Sequence, residues 1–131
     1  MKILKIDKDE PLPLVYAVIK GKRKERRVRL VFDTGAFMTQ LSTMVVEELG
    51  YSARDGISEV VARGPSGPLD HGYTLKVGDF HVLGGRFSNL EIAAFDFNNL
   101  QADKIDGLLG FDIIRQLHLE LNGPKGQLIV F

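Results

Sequence analysis

The sequence has no cysteine. That one absence removes disulfides, a thiolate nucleophile and a thiolate metal site together. It has no net charge either: 17 Lys and Arg balance 17 Asp and Glu. No large field therefore draws the whole chain to nucleic acid or to an anionic membrane, and neither is expected as a partner. No run approaches the roughly 18 apolar residues that a bilayer span requires. The opening Met1-Lys2-Ile3-Leu4-Lys5-Ile6-Asp7 becomes charged too early to supply the apolar core of a signal peptide. These absences fit a cytoplasmic protein. Gly-x-x-x-x-Gly-Lys-Ser/Thr and Gly-x-Gly-x-x-Gly are both missing, which leaves nucleotide binding without support. Ser42 and Ser66 lack a nucleophile elbow or a matching His pattern. His71, His81 and His118 are not spaced as ligands on one helix or hairpin, so neither metal nor cofactor is expected.

What is present is ordinary globular material. At 131 residues, 44% hydrophobic and 26% charged, the chain suits one domain with a real core. No internal repeat, linker or low-complexity tract divides residues 1–131. The texture is short strands punctuated by glycine turns, which predicts an all-β barrel with one or two short helices. Residues 13–19 and 27–32 form a hairpin, with the basic run Gly21 to Arg27 at its tip as a solvated turn. Ser42 or Thr43 caps a short amphipathic helix carrying Met44, Val45, Leu49, Glu47 and Glu48, closed by Gly50. Residues 57–62 and 72–77 read as strands, with Tyr73, Leu75 and Val77 inward and Thr74 and Lys76 outward. Residues 63–70 form a Gly/Pro loop between them. Residues 80–83 and 87–95 continue the β pattern, and 96–104 is a polar surface loop. A helix over 111–117 precedes strands over 118–121 and 127–131.

The chemistry centres on Leu30-Val31-Phe32-Asp33-Thr34-Gly35-Ala36. An apolar strand delivers a carboxylate to a tight turn, where Gly35 permits close approach of a ligand. Such a triplet arises by chance in roughly a few per cent of chains this long. Alone, it is equally a turn in which Asp33 caps its own backbone. A second element changes the weight: Asp106-Gly107-Leu108-Leu109-Gly110, opening a short helix.

Together these two motifs resemble the retropepsin-like aspartic peptidases, the single-domain proteases of retroviruses with cellular relatives in bacteria. Val31-Phe32-Asp33-Thr34-Gly35-Ala36 and Leu108-Leu109-Gly110 match the family pattern, and the likeness runs from about Pro13 to Phe131. The resemblance implies an acid-protease barrel that is one half of a homodimeric, cofactor-free endopeptidase acting on polypeptide. It implies Asp33 as the catalytic carboxylate, with Thr34 bonding across the two-fold axis and Gly35 offering backbone to substrate. It further implies substrate contacts at Val31, Ala36 and Phe37, at a flap tip of Gly64, Pro65, Ser66 and Gly67, and at Leu109 and Gly110. Two carboxylates sharing one proton are needed and the chain has one Asp-Thr-Gly, so the second must come from an identical partner. Asp106 is expected to shape its turn. Ile129 and Phe131 on the last strand would contribute to the dimer sheet.

Two positions depart from the family. Phe37 stands where a polar residue is usual, and Phe111 where viral members often carry an Arg that pairs with it. A Phe37–Phe111 contact is expected in place of that ion pair. The alternative reading is a non-proteolytic module of the same fold that clamps an extended segment by strand addition. A nucleic-acid-binding barrel has only the Lys20 to Arg29 run behind it.

Overall fold

The computed structural model describes residues 1–64, 67–96 and 104–131. The first long feature is the expected hairpin, β2 (Leu14–Lys20) against β3 (Glu25–Phe32). Val15, Ala17 and Ile19 alternate inward and meet Val28 and Leu30 from β3, all at most 6% exposed. Each such side chain contributes on the order of 1.5–3 kcal/mol through burial. Three of the basic residues from Lys20 to Arg29 are neutralised where they lie: Lys22 pairs with Asp55, Arg26 with Glu48 and Asp106, and Arg29 with Glu10. Arg27 sits 3.7 Å over the Tyr16 ring.

The remaining strands are β1 (Lys2–Lys5), β4 (Gln40–Ser42), β5 (Ser58–Gly64), β6 (Gly67–Val82), β7 (Gly85–Phe95), β8 (Gly107–Leu109), β9 (Leu119–Asn122) and β10 (Gln127–Val130). The order β2-β3-β8-β4-β7-β6 closes on itself through a β2–β6 pairing, making a six-stranded mixed barrel with β5 appended to β6. Two stretches read as separate strands, residues 72–77 and 80–83, are one strand, because β6 runs straight through Gly78. A Cβ there would lie 2.2 Å from the Lys20 carbonyl oxygen, so the glycine marks a strand crossing and not a turn. Thr74 is also corrected: it is 3% exposed, its hydroxyl satisfied by that of Ser58 at 2.9 Å.

The expected loop over 63–70 is mostly strand. Arg63 pairs with Pro68 and Gly64 with Gly67, after a register shift between Ala62 and Arg63. Proline is tolerated near the start of a strand and beside a bulge. Pro65 and Ser66 lie outside the described residues, as do 97–103 of the expected polar loop.

Helix α1 (Thr43–Glu48) starts as expected, with Ser42 Oγ accepting from Val45 N at 3.2 Å, and Gly50 follows its end at φ +98°. Its buried face is Val45, Val46 and Leu49, while Met44 is 45% exposed. Helix α2 (Phe111–Ile114) is shorter than expected. A second sheet, β1-β10-β9, packs Leu128 and Val130 into the core. It contains a strand the sequence reading missed, β1, which pairs antiparallel with β10 from Lys2↔Val130 to Lys5↔Gln127. The last strand is therefore not a free apolar edge. It is the middle strand, hydrogen-bonded on both sides, and Phe131 stacks on His118 at 4.6 Å.

Candidate active site

Asp33 follows directly on β3, and its position is fixed from two sides. Its N–H donates to the Leu109 carbonyl at 3.0 Å, tying the turn to β8, which runs parallel to β3. Its Oδ1 accepts from Gly35 N at 2.9 Å. The self-capping turn and the presented carboxylate thus coexist: one oxygen orders the loop, and Oδ2 makes no bond among the described residues. Asp33 is half-buried, whereas Thr34 and Gly35 are exposed. The Thr34 hydroxyl has no partner among the described residues.

Two glycines let the second motif come close. A Cβ on Gly107 would lie 1.9 Å from the Gln40 carbonyl oxygen, and one on Gly110 2.5 Å from the Met38 carbonyl carbon. Of the other expected contacts, Leu109 is fully buried in the core, and Val31 and Gly110 are buried as well. Asp106 accepts from Arg29 N at 2.8 Å and pairs with Arg26, at the opposite end of β8 from the Leu109 carbonyl that holds Asp33.

A cleft of about 430 Å³ opens beside the turn. Its walls are Gly35–Met38 and Gln40 on one side, Val60–Ala62 of β5 above, and Ala93 and Phe95 of β7 behind. Of the expected substrate contacts, Gly35, Ala36 and Phe37 border it. Val60–Ala62 thus bring the β5–β6 hairpin to the cleft wall.

The expected Phe37–Phe111 ring contact is not formed. Phe37 is 74% exposed, and the Phe111 ring lies instead 5.6 Å from the Arg115 guanidinium. The two segments are nonetheless joined, by Phe111 N donating to Ala36 O at 2.6 Å and by a polar clamp further along. Asp112 accepts from Thr39 N at 3.0 Å, from Thr39 Oγ1 at 2.7 Å and from Ile113 N at 2.9 Å. Thr39 Oγ1 in turn accepts from Gly110 N at 3.0 Å. Thr39 is fully buried. This clamp escaped the sequence reading. An acidic residue in the first turn of α2 was its one visible trace.

No group of three or more His, Cys, Asp or Glu gathers to hold a metal ion among the described residues. No helix there is long and apolar enough to cross a membrane.

A six-stranded mixed barrel with a short second sheet, an Asp-Thr-Gly turn at its cleft and a hairpin along the cleft wall defines the retropepsin-like class. The aspartyl protease family model matches residues 15–113, and the chain belongs to that family. A comparison with curated proteins finds no match. Among solved structures, the chain is similar to a retropepsin-like aspartic protease from Rickettsia conorii, with a TM-score of 0.66 and 17% identity, covering 98% of this chain and 88% of that one. It is similar to EIAV protease complexed with the inhibitor HBY-793, at TM-score 0.61 and 19% identity over 82% and 89% of the two chains. The retroviral protease-like domain of Ddi1 from Leishmania major aligns at TM-score 0.62 and 11% identity, covering 93% and 90%. At these identities the likeness is one of fold.

Proposed function

We propose that the chain is one half of a homodimeric aspartic endopeptidase, with water activated between two Asp33 carboxylates, one from each protomer. The observation that carries this reading is the half-built site: a presented Asp33, an exposed Thr34 with no partner among the described residues, and a β5–β6 hairpin lining the cleft. Two carboxylates in contact cannot both ionise readily, so the pair holds one proton, and its titration belongs to the pair. The ionised member takes a proton from water while the protonated one donates to the scissile carbonyl. The resulting diol collapses as the amine leaves with a proton, which restores the shared state. Closure of the hairpin excludes water. No cofactor enters.

The second copy has two edges of the small sheet to use, β1 and β9, since β10 is the middle strand. Two-fold pairing along β1 would bring its own Lys2 and Lys5 together, which like charge opposes. The β9 edge carries Leu121, 59% exposed, and is the better seam.

The test is cleavage of a diverse peptide library from about pH 4 to 8, read by mass spectrometry, with wild type and Asp33→Asn both verified as dimers. Cuts that vanish in the variant support the peptidase. Peptide capture without cleavage, unchanged by Asp33→Asn, would replace it with the binding module.

A further inference from the structure

Among the described residues that line the cleft, Gln40 alone carries a polar side chain, and it bonds to none of them. In β4, Leu41 is fully buried in the core, so Gln40 before it points to the opposite face. β7 runs in parallel register, Gln40↔Ala93 and Leu41↔Ala94, and Ala94 joins the core cluster while Ala93 does not. Gln40 and Ala93 are thus neighbours on the cleft wall, and both line the cavity. Its other described lining residues are glycine, alanine, valine, phenylalanine or methionine. The half-buried Gln40 carboxamide makes no hydrogen bond among the described residues. A polar group against an apolar wall gains from any partner that enters with a substrate.

We infer that Gln40 and Ala93 set the side-chain specificity of this cleft, which takes tyrosine in preference to other residues. The inference rests on the peptidase reading above. A phenol is apolar along its length and ends in a group that both donates and accepts, as a carboxamide does. Ala93, 1% exposed, ends in a single methyl and so takes little of the cavity's room. A Lys or Glu would bring a charge against a wall with no opposite charge among its described lining residues, and is disfavoured. A site with a polar group meant for a substrate hydroxyl discriminates against the analogue that lacks it.

The experiment uses matched peptides carrying Tyr, Phe, Leu or Glu in turn at each position flanking the scissile bond. At one position, Tyr should exceed Phe by about five- to tenfold in kcat/KM. Gln40→Leu should bring that ratio to about one, and Ala93→Val should lower both aromatic peptides there by about tenfold relative to the Leu peptide. Asp33-dependent cleavage with no Tyr-over-Phe preference at any position would overturn the inference, as would a preference that survives Gln40→Leu. Affinities of the same peptides for Asp33→Asn protein, by fluorescence anisotropy, measure the ratio without turnover. A Gln40-dependent tyrosine preference in binding without cleavage by wild type would sink the peptidase and keep the specificity. Cleavage without the preference would do the reverse.

Discussion

Asp112→Ala should be among the most damaging single changes outside the core. Removing the carboxylate leaves Thr39 N–H and Thr39 Oγ1–H without the acceptors they now have at 3.0 and 2.7 Å, in a residue that is fully buried. Each buried donor so stranded costs about 1–3 kcal/mol. The Ile113 N–H at 2.9 Å lies at a helix start and finds water more readily. A loss of about 3–5 kcal/mol follows, against a total of roughly 5–15 kcal/mol for a domain. At about 3–5 °C per kcal/mol for this size, Tm should fall by roughly 10–20 °C. Asp112→Asn retains one acceptor oxygen and should lose about half as much. Thr39→Val removes the hydroxyl together with its bond from Gly110 N at 3.0 Å, and costs about 2–3 kcal/mol. The double variant Thr39→Val/Asp112→Ala should lose less than the two singles added, by about 1–2 kcal/mol, because the groups share one network. Urea denaturation followed by circular dichroism measures all four. An Asp112→Ala loss under about 1 kcal/mol, or strict additivity, would refute the clamp.

Gly107→Ala places a Cβ 1.9 Å from the Gln40 carbonyl oxygen, so β4 and β8 must separate. A cost of about 2–3 kcal/mol is expected by thermal denaturation, whereas Gly123→Ala, with open space around it, should cost little. Leu121→Glu should weaken the dimer by about tenfold or more in sedimentation equilibrium without lowering monomer stability, if β9 is the seam. Hydrogen bonds from Arg86 and Ser88 hold the Asp79 carboxyl below its ordinary value of 3.8, and Lys22 and Ser52 do the same for Asp55. A lowered folded value means stabilisation that is complete above the ordinary value and lost as pH falls through the lowered one. Between about pH 5 and 2, Asp55→Asn/Asp79→Asn should therefore show a shallower decline in Tm than wild type.

The parts of the fold that were readable in the sequence are those whose signal is local. Val15, Ala17 and Ile19 alternate within one strand, and Ser42 caps the helix through a bond three residues long. The features that escaped depend on partners far along the chain. The opening residues give no strand signal, because Lys2 and Lys5 flank a single apolar pair, and pairing with β10 makes them a strand. Residues 72–77 and 80–83 read as two strands because the reason for the glycine between them, the Lys20 carbonyl near Gly78, is on another strand. Thr74 reads as exposed until Ser58 satisfies it.

The site divides in the same way, and the division bears on what replaced the family's usual ion pair. The residue types at 37 and 111 announced that the pair was gone, and two phenylalanines suggested an apolar contact in its place. What the loop requires, however, is a bond that fixes the segment after Asp33 to the start of α2. An apolar contact at the mouth of an open cleft leaves the nearby backbone donors unanswered. The buried Thr39–Asp112 bonds and the Phe111 N to Ala36 O bond answer them, and this frees Phe37 from any structural duty in the protomer. A side chain 74% exposed beside the cleft is then available to substrate or to the second copy. Phe37→Ser should accordingly leave Tm within about 2 °C of wild type while changing peptide affinity or dimer strength. A large stability loss with neither of those altered would return the residue to the structural role that the sequence first suggested for it.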